Sequence, residues 1–324
     1  MKIRKYSVGY TPHKDFLSMI SKYKNDISSV YFPLPKSLGE VGRAIEQEEN
    51  YIKNIIKLIK LCSSNSIESI LLLNGGCEGE NTGSKGYVLK IINFMKLLYK
   101  EGLTSISISN LVYVPIIKKI FPKIKIYSSV NCTVDTIEKA LYLKDIGVDI
   151  ITIYRDINRD LDMIRNIKQK SGLKTQIILN ETCVRGCMYY ETHSNIQTHN
   201  IDSEDNLIQK YGCTRFYLEN KKHFFRIPFI RPEDVYRYDS IVDYYKLSTR
   251  GLSPIDISRM LEAYSKQKYD GNLLDLLDIY QDKFIRNYIG NIDNNKLGKL
   301  NFFDKIVKCQ GDCFTCNICN NFLE

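Results

Sequence analysis

The chain has 324 residues, of which 44% are hydrophobic and 26% charged, and it carries a formal net charge of +9. This profile is typical of a soluble globular protein and excludes a largely disordered chain. No apolar run reaches the ~18 residues that a membrane span requires, and the first residues lack a signal-peptide core, so we expect a cytoplasmic protein with no membrane association. The positive charge is compatible with an RNA partner or with simple compositional bias, because no basic stripe interleaved with aromatic residues is present.

Short β-rich apolar runs alternate along the chain with longer segments of helical period. Strands are predicted at Ile3–Gly9, Ser28–Phe32, Ser69–Leu73, Ser105–Ser109, Ile124–Ser128, Asp149–Ile153, Thr175–Leu179 and Val242–Leu247. Helices are predicted at Lys14–Lys24, Val41–Cys62, Ser84–Lys100, Val114–Ile120, Val134–Leu143, Ile157–Lys170 and Pro254–Lys266. Eight strands joined by helical crossovers predict an α/β fold, a closed (β/α)8 TIM-like barrel.

Two segments fall outside this alternation. Residues 181–240 separate the seventh strand from the eighth and are too long for an ordinary loop, so we predict an insertion that covers the barrel mouth. Residues 269–324 leave the barrel and end in a group of cysteines. The predicted organisation is therefore a barrel over residues 1–268, including the insertion, followed by a C-terminal extension.

Polar residues follow several predicted strands, at the end of the barrel where such folds carry their reactive groups. Asn180 and Glu181 follow the seventh strand, and Lys246 and Arg250 lie at the end of the eighth. Each asparagine in such a position can instead cap the following helix. The glycine-rich stretch Asn74–Gly79 lacks the spacing of a dinucleotide fingerprint and is interpreted as a tight loop.

Seven of the ten cysteines gather in two regions. They are Cys183, Cys187 and Cys213 in the insertion, and Cys309, Cys313, Cys316 and Cys319 in the tail. In a reducing compartment, clustered cysteines are more often metal ligands or redox centres than disulfides. The compact tail spacing resembles that of ferredoxin-type runs and predicts a four-iron cluster. Zinc is the second choice for the tail, because tetrahedral zinc sites usually take two cysteine pairs separated by a longer loop.

The insertion cysteines Cys183, Cys187 and Cys213 supply three thiolates for a four-iron cluster, which leaves one iron without a cysteine ligand. Substrate, sulfide or a fourth thiolate from Cys309 or Cys77 would complete it, and the spacing does not choose among these. The sequence therefore predicts either one shared cluster or two separate clusters.

Four stretches carry a family resemblance. They are Asn180-Glu181-x-Cys183-x3-Cys187-x-Tyr189-x3-His193, Ile230-Arg231-Pro232-Glu233-Asp234, Asp243-Tyr244-Tyr245-Lys246 leading to Arg250-Gly251, and Tyr269-Asp270-Gly271-Asn272. Together they resemble peptidase family U32, the collagenase-like proteases. The resemblance implies a barrel with a cysteine-bound four-iron cluster at its mouth and an oxygen-independent hydroxylation or related modification of RNA, the ubiquinone ring or another small substrate. Many relatives place four cysteines in the central region, where this chain has three, and the tail motif is not a feature of the RNA-modifying members.

Candidate site residues fall into three groups. The resemblance gives Cys183, Cys187 and Cys213 as cluster ligands. The candidates for holding an anionic substrate group are Asn180, Arg231, Lys246 and Arg250. The candidates for proton transfer are Glu181, His193 and Glu233. In the alternative interpretation, Arg231 and Glu233 pair with each other to fix the insertion, and His193 is an ordinary hydrogen-bonding residue.

Three functions are compatible with these residues. The first is an iron–sulfur redox enzyme supplied by an electron donor such as ferredoxin or flavodoxin. The second is a peptidase of the collagenase-like type, although no nucleophile motif or histidine–zinc pattern is recognised. The third is a noncatalytic iron–sulfur subunit that acts with a homologous barrel subunit.

Overall fold

The computed structural model describes residues 4–39, 42, 47–199, 211–212, 215, 218–278 and 283–323, with no side chains described for 283–285. Its strands are β1 Tyr6–Gly9, β2 Ile27–Pro33, β3 Glu68–Leu73, β4 Ser105–Ile108, β5 Lys125–Ser128, β6 Ile150–Thr152, β7 Lys174–Ile178 and β8 Tyr244–Lys246. These strands pair in parallel and in chain order, and β8 closes on β1 with Tyr245 opposite Tyr6. The predicted (β/α)8 barrel is confirmed, and each predicted strand overlaps an observed one.

Helices alternate with the strands. They are α1 Phe16–Lys22, α2 Tyr51–Ser64, α3 Lys85–Lys100, α4 Val114–Ile120, α5 Ile137–Asp145, α6 Leu161–Ser171, α7 Tyr190–His199 and α8 Pro254–Lys266. Helix α7 lies in the insertion, and α8 follows β8. The extension adds α9 Lys283–Ile289, α10 Asn294–Lys299 and α11 Phe302–Ile306. No helix among the described residues is long and apolar enough to cross a membrane.

The ends of α6 show how local chemistry sets helix limits. The helix begins later than predicted because the Asp160 side chain caps it by accepting a hydrogen bond from the Met163 N–H. Asn158, which lies inside the predicted helix, instead precedes the observed one, is buried and donates to the Ile178 carbonyl. The observed helix ends at Ser171, one residue beyond its predicted end, and Gly172 caps it with a φ of +68° that favours glycine. The predicted starts at Ile3 and Val41 lie outside the described residues.

The barrel interior has its own apolar layer. Tyr31, Ile70, Leu72, Tyr127 and Ile150 pack together there, with Tyr244 partly buried against them. Alternate residues of a strand face opposite sides of a sheet, so Lys246 faces the interior as Tyr244 does, two residues nearer the mouth. The end of β8 therefore directs a lysine into the barrel mouth.

The extension packs into the same continuous core as the barrel. The ring of Phe302, only 2% exposed, stacks on Phe229 with centroids 5.4 Å apart. Phe322 lies 5.0 Å from Phe302 and 5.3 Å from Phe225. These aromatic contacts hold the cysteine-rich tail against residues of the insertion. The division into a barrel and an extension at residue 268 stays a prediction.

Replacing Phe302 with alanine is expected to lower the free energy of unfolding by about 3–5 kcal/mol, because it empties a buried aromatic site. Chemical denaturation measures the loss. Phe314→Ala is the matched control, since Phe314 lies in the same extension and is 77% exposed. Equal stability of the two variants would contradict the packing described above.

Candidate active site and cysteine centre

Helix α7 covers part of the barrel mouth. The Tyr190 hydroxyl donates to Asn131 Oδ1, and Asn131 Nδ2 donates to the Asn74 carbonyl at 3.0 Å, which joins α7 to the ends of β5 and β3. The Gly76 N–H donates to Thr198 Oγ1 at 3.0 Å. A Cβ at Gly76 would lie 2.7 Å from the Ser194 hydroxyl oxygen, so glycine permits this close approach. The insertion reaches the mouth through these contacts.

Arg155 and Glu181 form a partly enclosed ion pair at the ends of β6 and β7. Arg155 Nε lies 3.4 Å from Glu181 Oε2, and the guanidinium lies 4.2 Å from the centre of the Tyr190 ring. Burial lowers the pKa of Arg155, but the neighbouring Glu181 carboxylate carries it above its ordinary value. Glu181 Oε1 also accepts the N–H groups of Thr182 and Cys183, at 3.0 and 3.1 Å. Glu181 therefore fixes the start of the cysteine loop, while its predicted proton transfer stays a prediction.

Lys246 is the most perturbed amine of the mouth. Its Nζ lies 4.3 Å from the centre of the Tyr31 ring. The pKa of Lys246 is lowered to about 7, mainly by burial and also by the Arg250 guanidinium, while the Glu181 carboxylate opposes both effects. A lysine with such a pKa is able to hold or release a proton near neutral pH. The Arg250 guanidinium is thus near enough to influence the Lys246 amine, and the binding of one anionic group by both residues stays a prediction.

Asn180 has a structural role in place of the predicted substrate contact. Its Nδ2 donates to the Ser248 carbonyl at 3.0 Å, and its Oδ1 accepts the Ser248 N–H at 2.6 Å. The residue is fully buried. Both ends of the amide are therefore used to join the segments that follow β7 and β8.

Arg231 and Glu233 also hold the fold together. Arg231 is 5% exposed, and it binds Asp234 through Nε at 2.7 Å and Nη2 at 3.1 Å, with Nη1 donating to the Asn294 carbonyl. Glu233 Oε1 accepts the Tyr269 N–H and the Asn294 amide. The sequence-based pairing of Arg231 with Glu233 is thus replaced by a pairing with Asp234. These contacts tie the extension to the barrel, so neither residue is carried into the proposed site.

The loop that bears Cys183 and Cys187 contacts the cysteine tail. Arg185 Nη1 donates to the Cys309 carbonyl at 3.4 Å. The Arg185 N–H donates to the Arg226 carbonyl, and the Gly186 N–H donates to Asp156 Oδ2 at 3.0 Å. The loop is thus fixed at both faces, and the two cysteine regions, distant in sequence, adjoin in the fold.

The tail folds as a compact turn-rich segment. Lys222 Nζ donates to the Cys316 carbonyl and to Asn317 Oδ1, both at 3.2 Å. The pKa of Cys319 is raised to about 12, mainly by burial and also by the neighbouring thiols of Cys309 and Cys313. Such mutual influence requires the tail thiols to lie near one another.

Four thiols in one short segment are candidate ligands of a metal centre, and the choice between a four-iron cluster and zinc stays a prediction. Among the described residues, no three His, Cys, Asp or Glu side chains are placed to hold one ion. A four-iron cluster binds each cysteine at a different iron, so its ligands surround the group without converging on one atom. Tetrahedral zinc requires that convergence. For the insertion cysteines the same test is open, because Cys213 lies outside the described residues.

His193 lies one helical turn beyond Tyr190 on α7 and is partly buried. Its backbone N–H donates to the Tyr189 carbonyl at 2.8 Å. His193 therefore lies near the mouth, and its role in proton transfer stays a prediction.

A cavity of about 380 Å³ lies between α7, the loop after β3 and the ends of β4 and β5. Its polar lining includes Glu78, Asn110, Asn131, Glu191 and Asn195. Glu78 and Glu191 are not predicted from the sequence, because the glycine-rich stretch is interpreted as a tight loop and α7 is not predicted. The one sequence feature that marks this cavity is the pair Gly75-Gly76, which follows the buried strand β3 after a single residue.

Comparisons with known proteins agree with this architecture. The model of peptidase family U32 matches residues 18–198, more than half of the chain. An uncharacterized protease of Methanocaldococcus jannaschii is 29% identical over 311 residues, which cover 94% of this chain and 90% of that protein. The solved structure of the U32 peptidase Mk0906 matches with a TM-score of 0.56 at 13% identity, over 78% of this chain and 94% of its own, and shows a shared fold.

The fold and its polar mouth define a (β/α)8-barrel protein with a candidate site at the C-terminal ends of the strands. The chain belongs to peptidase family U32. The resemblance seen in the sequence is therefore confirmed at the level of family and fold.

Replacing Arg250 with methionine is expected to raise the pKa of Lys246 above about 7, because one nearby positive charge is removed. The measurement is a pH titration of the lysine ε-carbon signals by NMR, with Lys246→Met identifying the resonance.

Because the pKa of Lys246 is lower in the folded chain than in the unfolded chain, the contribution of Lys246 to stability increases as pH rises from about 7 toward the ordinary lysine pKa.

Lys266→Met serves as the control for that titration, since Lys266 lies on the exposed side of α8 and should leave the low-pKa resonance unchanged. A Lys246 signal that titrates with the other lysines would show that the amine is not enclosed as described.

Proposed function

We propose that this protein is an iron–sulfur redox enzyme that modifies a small anionic substrate at the barrel mouth by an oxygen-independent reaction, hydroxylation or a related modification. The observation that carries the proposal is the contact between the Cys183–Cys187 loop and the cysteine tail, made through Arg185 and the Cys309 carbonyl. This contact supports the proposal because it brings the two cysteine regions near each other, and the barrel mouth contains a lysine with a lowered pKa.

In this proposal, the four tail cysteines would hold one four-iron cluster, and Cys183 and Cys187 with Cys213 would hold another or share it. Zinc is the second choice for the tail. When bound, such clusters supply single-electron transfer. The electrons would come from a donor such as ferredoxin or flavodoxin.

The chain's own residues would do the binding and the positioning. Lys246 and Arg250 would hold the anionic group of the substrate, since two fixed cations suit a carboxylate or phosphate. Lys246 Nζ would take up or release a proton near neutral pH. Arg155 would orient Glu181, which in turn holds the backbone N–H groups at the start of the cysteine loop.

Peptidase activity is the alternative, and it is supported by the names of the two relatives, a protease and a U32 peptidase. Proteolysis needs an activated nucleophile or a metal-bound water with its partners. The arrangement of the tail cysteines around cationic side chains is better explained by a metal cluster than by either requirement. A noncatalytic role beside a homologous barrel subunit, or action on RNA, would use the same cluster with a different substrate surface.

Anaerobic purification followed by iron and sulfide analysis tests the proposal. About eight irons and eight sulfides per chain are expected for two four-iron clusters, and about four of each for one shared cluster. Cys313→Ser should remove about four irons if the tail holds its own cluster, because serine does not replace a thiolate ligand of iron.

Cys62→Ala is the matched control, because Cys62 is fully buried on α2. The iron content of this variant should equal that of the wild type. Zinc as the sole metal, with no visible absorption, would refute the redox proposal. Peptide cleavage by iron-free protein would favour the peptidase instead, and activity only after addition of a second barrel protein would favour the subunit role.

A further inference from the structure

The cavity beneath α7 forms a second subsite in the mouth, separate from Lys246 and Arg250. We infer that it binds a protonated amine, with the Glu78 carboxylate as its anionic anchor. The inference rests on the proposed function only in assigning this amine to the substrate of the same mouth, because binding itself requires no iron.

Glu78 is oriented without being neutralised. Its Oε2 accepts hydrogen bonds from Asn110 Nδ2 at 2.8 Å and from the Tyr113 hydroxyl at 2.6 Å. Both donors are uncharged, so they fix the carboxylate while its negative charge remains. Within the part of the chain that the structure describes, Oε1 accepts no hydrogen bond and Glu78 forms no ion pair. That oxygen is therefore available to a ligand.

The cavity is acidic in a chain whose net charge is +9. Two carboxylates line it, Glu78 and Glu191, and its described lining contains no lysine, arginine or histidine. A partly enclosed carboxylate attracts a cation more strongly than an exposed one, because less water screens the interaction. The charge of the cavity thus selects a cationic group.

The remaining lining offers the hydrogen-bond partners that an ammonium group needs. The Ser194 hydroxyl belongs to a residue that lines the cavity, whereas the hydroxyl oxygen of Ser109 is enclosed by protein atoms and is shielded from the cavity. Asn110 and Asn195 add amide oxygens at the same wall. An ammonium group has three N–H donors, which match a carboxylate, a hydroxyl and an amide oxygen.

The close contact of α7 with Gly76 gives the cavity its outer wall. The Ser194 and Asn195 side chains lie where a Cβ at Gly76 would fall, at 2.7 and 3.0 Å. The volume of about 380 Å³ accommodates an aminoalkyl chain of several carbons. The occupant is therefore an aliphatic amine or the amine-bearing end of a larger substrate.

Isothermal titration calorimetry with 1,4-diaminobutane tests the subsite on the full chain. The neutral probe 1,4-butanediol has the same chain length and polar ends without charge, and succinate carries the opposite charge. We expect the diamine to bind more tightly than either control, and Glu78→Gln to weaken its binding by about tenfold, the loss of one charge-assisted hydrogen bond.

Glu80→Gln is the matched variant, since Glu80 is exposed two residues away and does not line the cavity. Its affinity should equal that of the wild type. Glu191→Gln, on the exposed side of α7, provides a second reduction of charge should Glu78→Gln unfold, as circular dichroism would reveal. Diamine binding no tighter than that of butanediol, or unchanged in the folded carboxylate variants, would overturn the inference. Neither result depends on the iron content, so failure here is separable from failure of the redox proposal.

Discussion

The Arg159 guanidinium is the contact on which the barrel, insertion and extension jointly depend. It donates to three backbone carbonyls, those of Phe225 at 2.9 Å, Ile227 at 2.6 Å and Phe229 at 3.2 Å. These carbonyls belong to a buried segment outside the barrel strands, and leaving them unpaired would cost about 1–3 kcal/mol each. Arg159 lies in the barrel, between β6 and α6. Its side chain therefore fixes Phe229, the residue on which Phe302 stacks.

That anchoring also determines the electrostatics of the cysteine tail. Burial lowers the pKa of Arg159 to about 10, while the thiols of Cys319 and Cys309 act in the opposite direction. Arg185 and Lys222 donate to carbonyls of the same tail. The Arg159 guanidinium opposes the rise in the pKa of Cys319 that burial causes, and Arg185 does the same for Cys313, but burial dominates and both pKa values stay raised. The interactions that stabilise the extension therefore also place positive charge beside its cysteines.

The sequence predicted the barrel because its strands are short, β-rich and regularly spaced, and because local pattern alone determines those features. It could not predict long-range partners. Asn180 looked like a ligand at a strand end, yet Ser248 uses both ends of its amide. Arg231 pairs with its near neighbour Asp234. Arg231 and Glu233 also bind Asn294 and Tyr269, which only the folded extension brings near them. Lys246 lies at the barrel mouth, because it ends a strand whose alternate residues face the interior, and its predicted binding of an anionic group stays a prediction.

The order of strands around the mouth constrains how the proposed substrate would lie. Lys246 is on β8, which neighbours β7 and the cysteine loop that follows it, whereas Glu78 follows β3 on the other side of the ring. Electron transfer favours short distances, so the reacting part of the substrate belongs near β7 and β8, with its anionic group on Lys246 and Arg250. The acidic cavity then serves binding and orientation rather than chemistry. Because α7 contacts both the loop after β3 and the Asn131 side chain after β5, occupancy of the acidic cavity would also stabilise the cover over the reacting end. The free energy of binding a remote amine would thereby stabilise the position of α7 over the mouth, next to the proposed cluster.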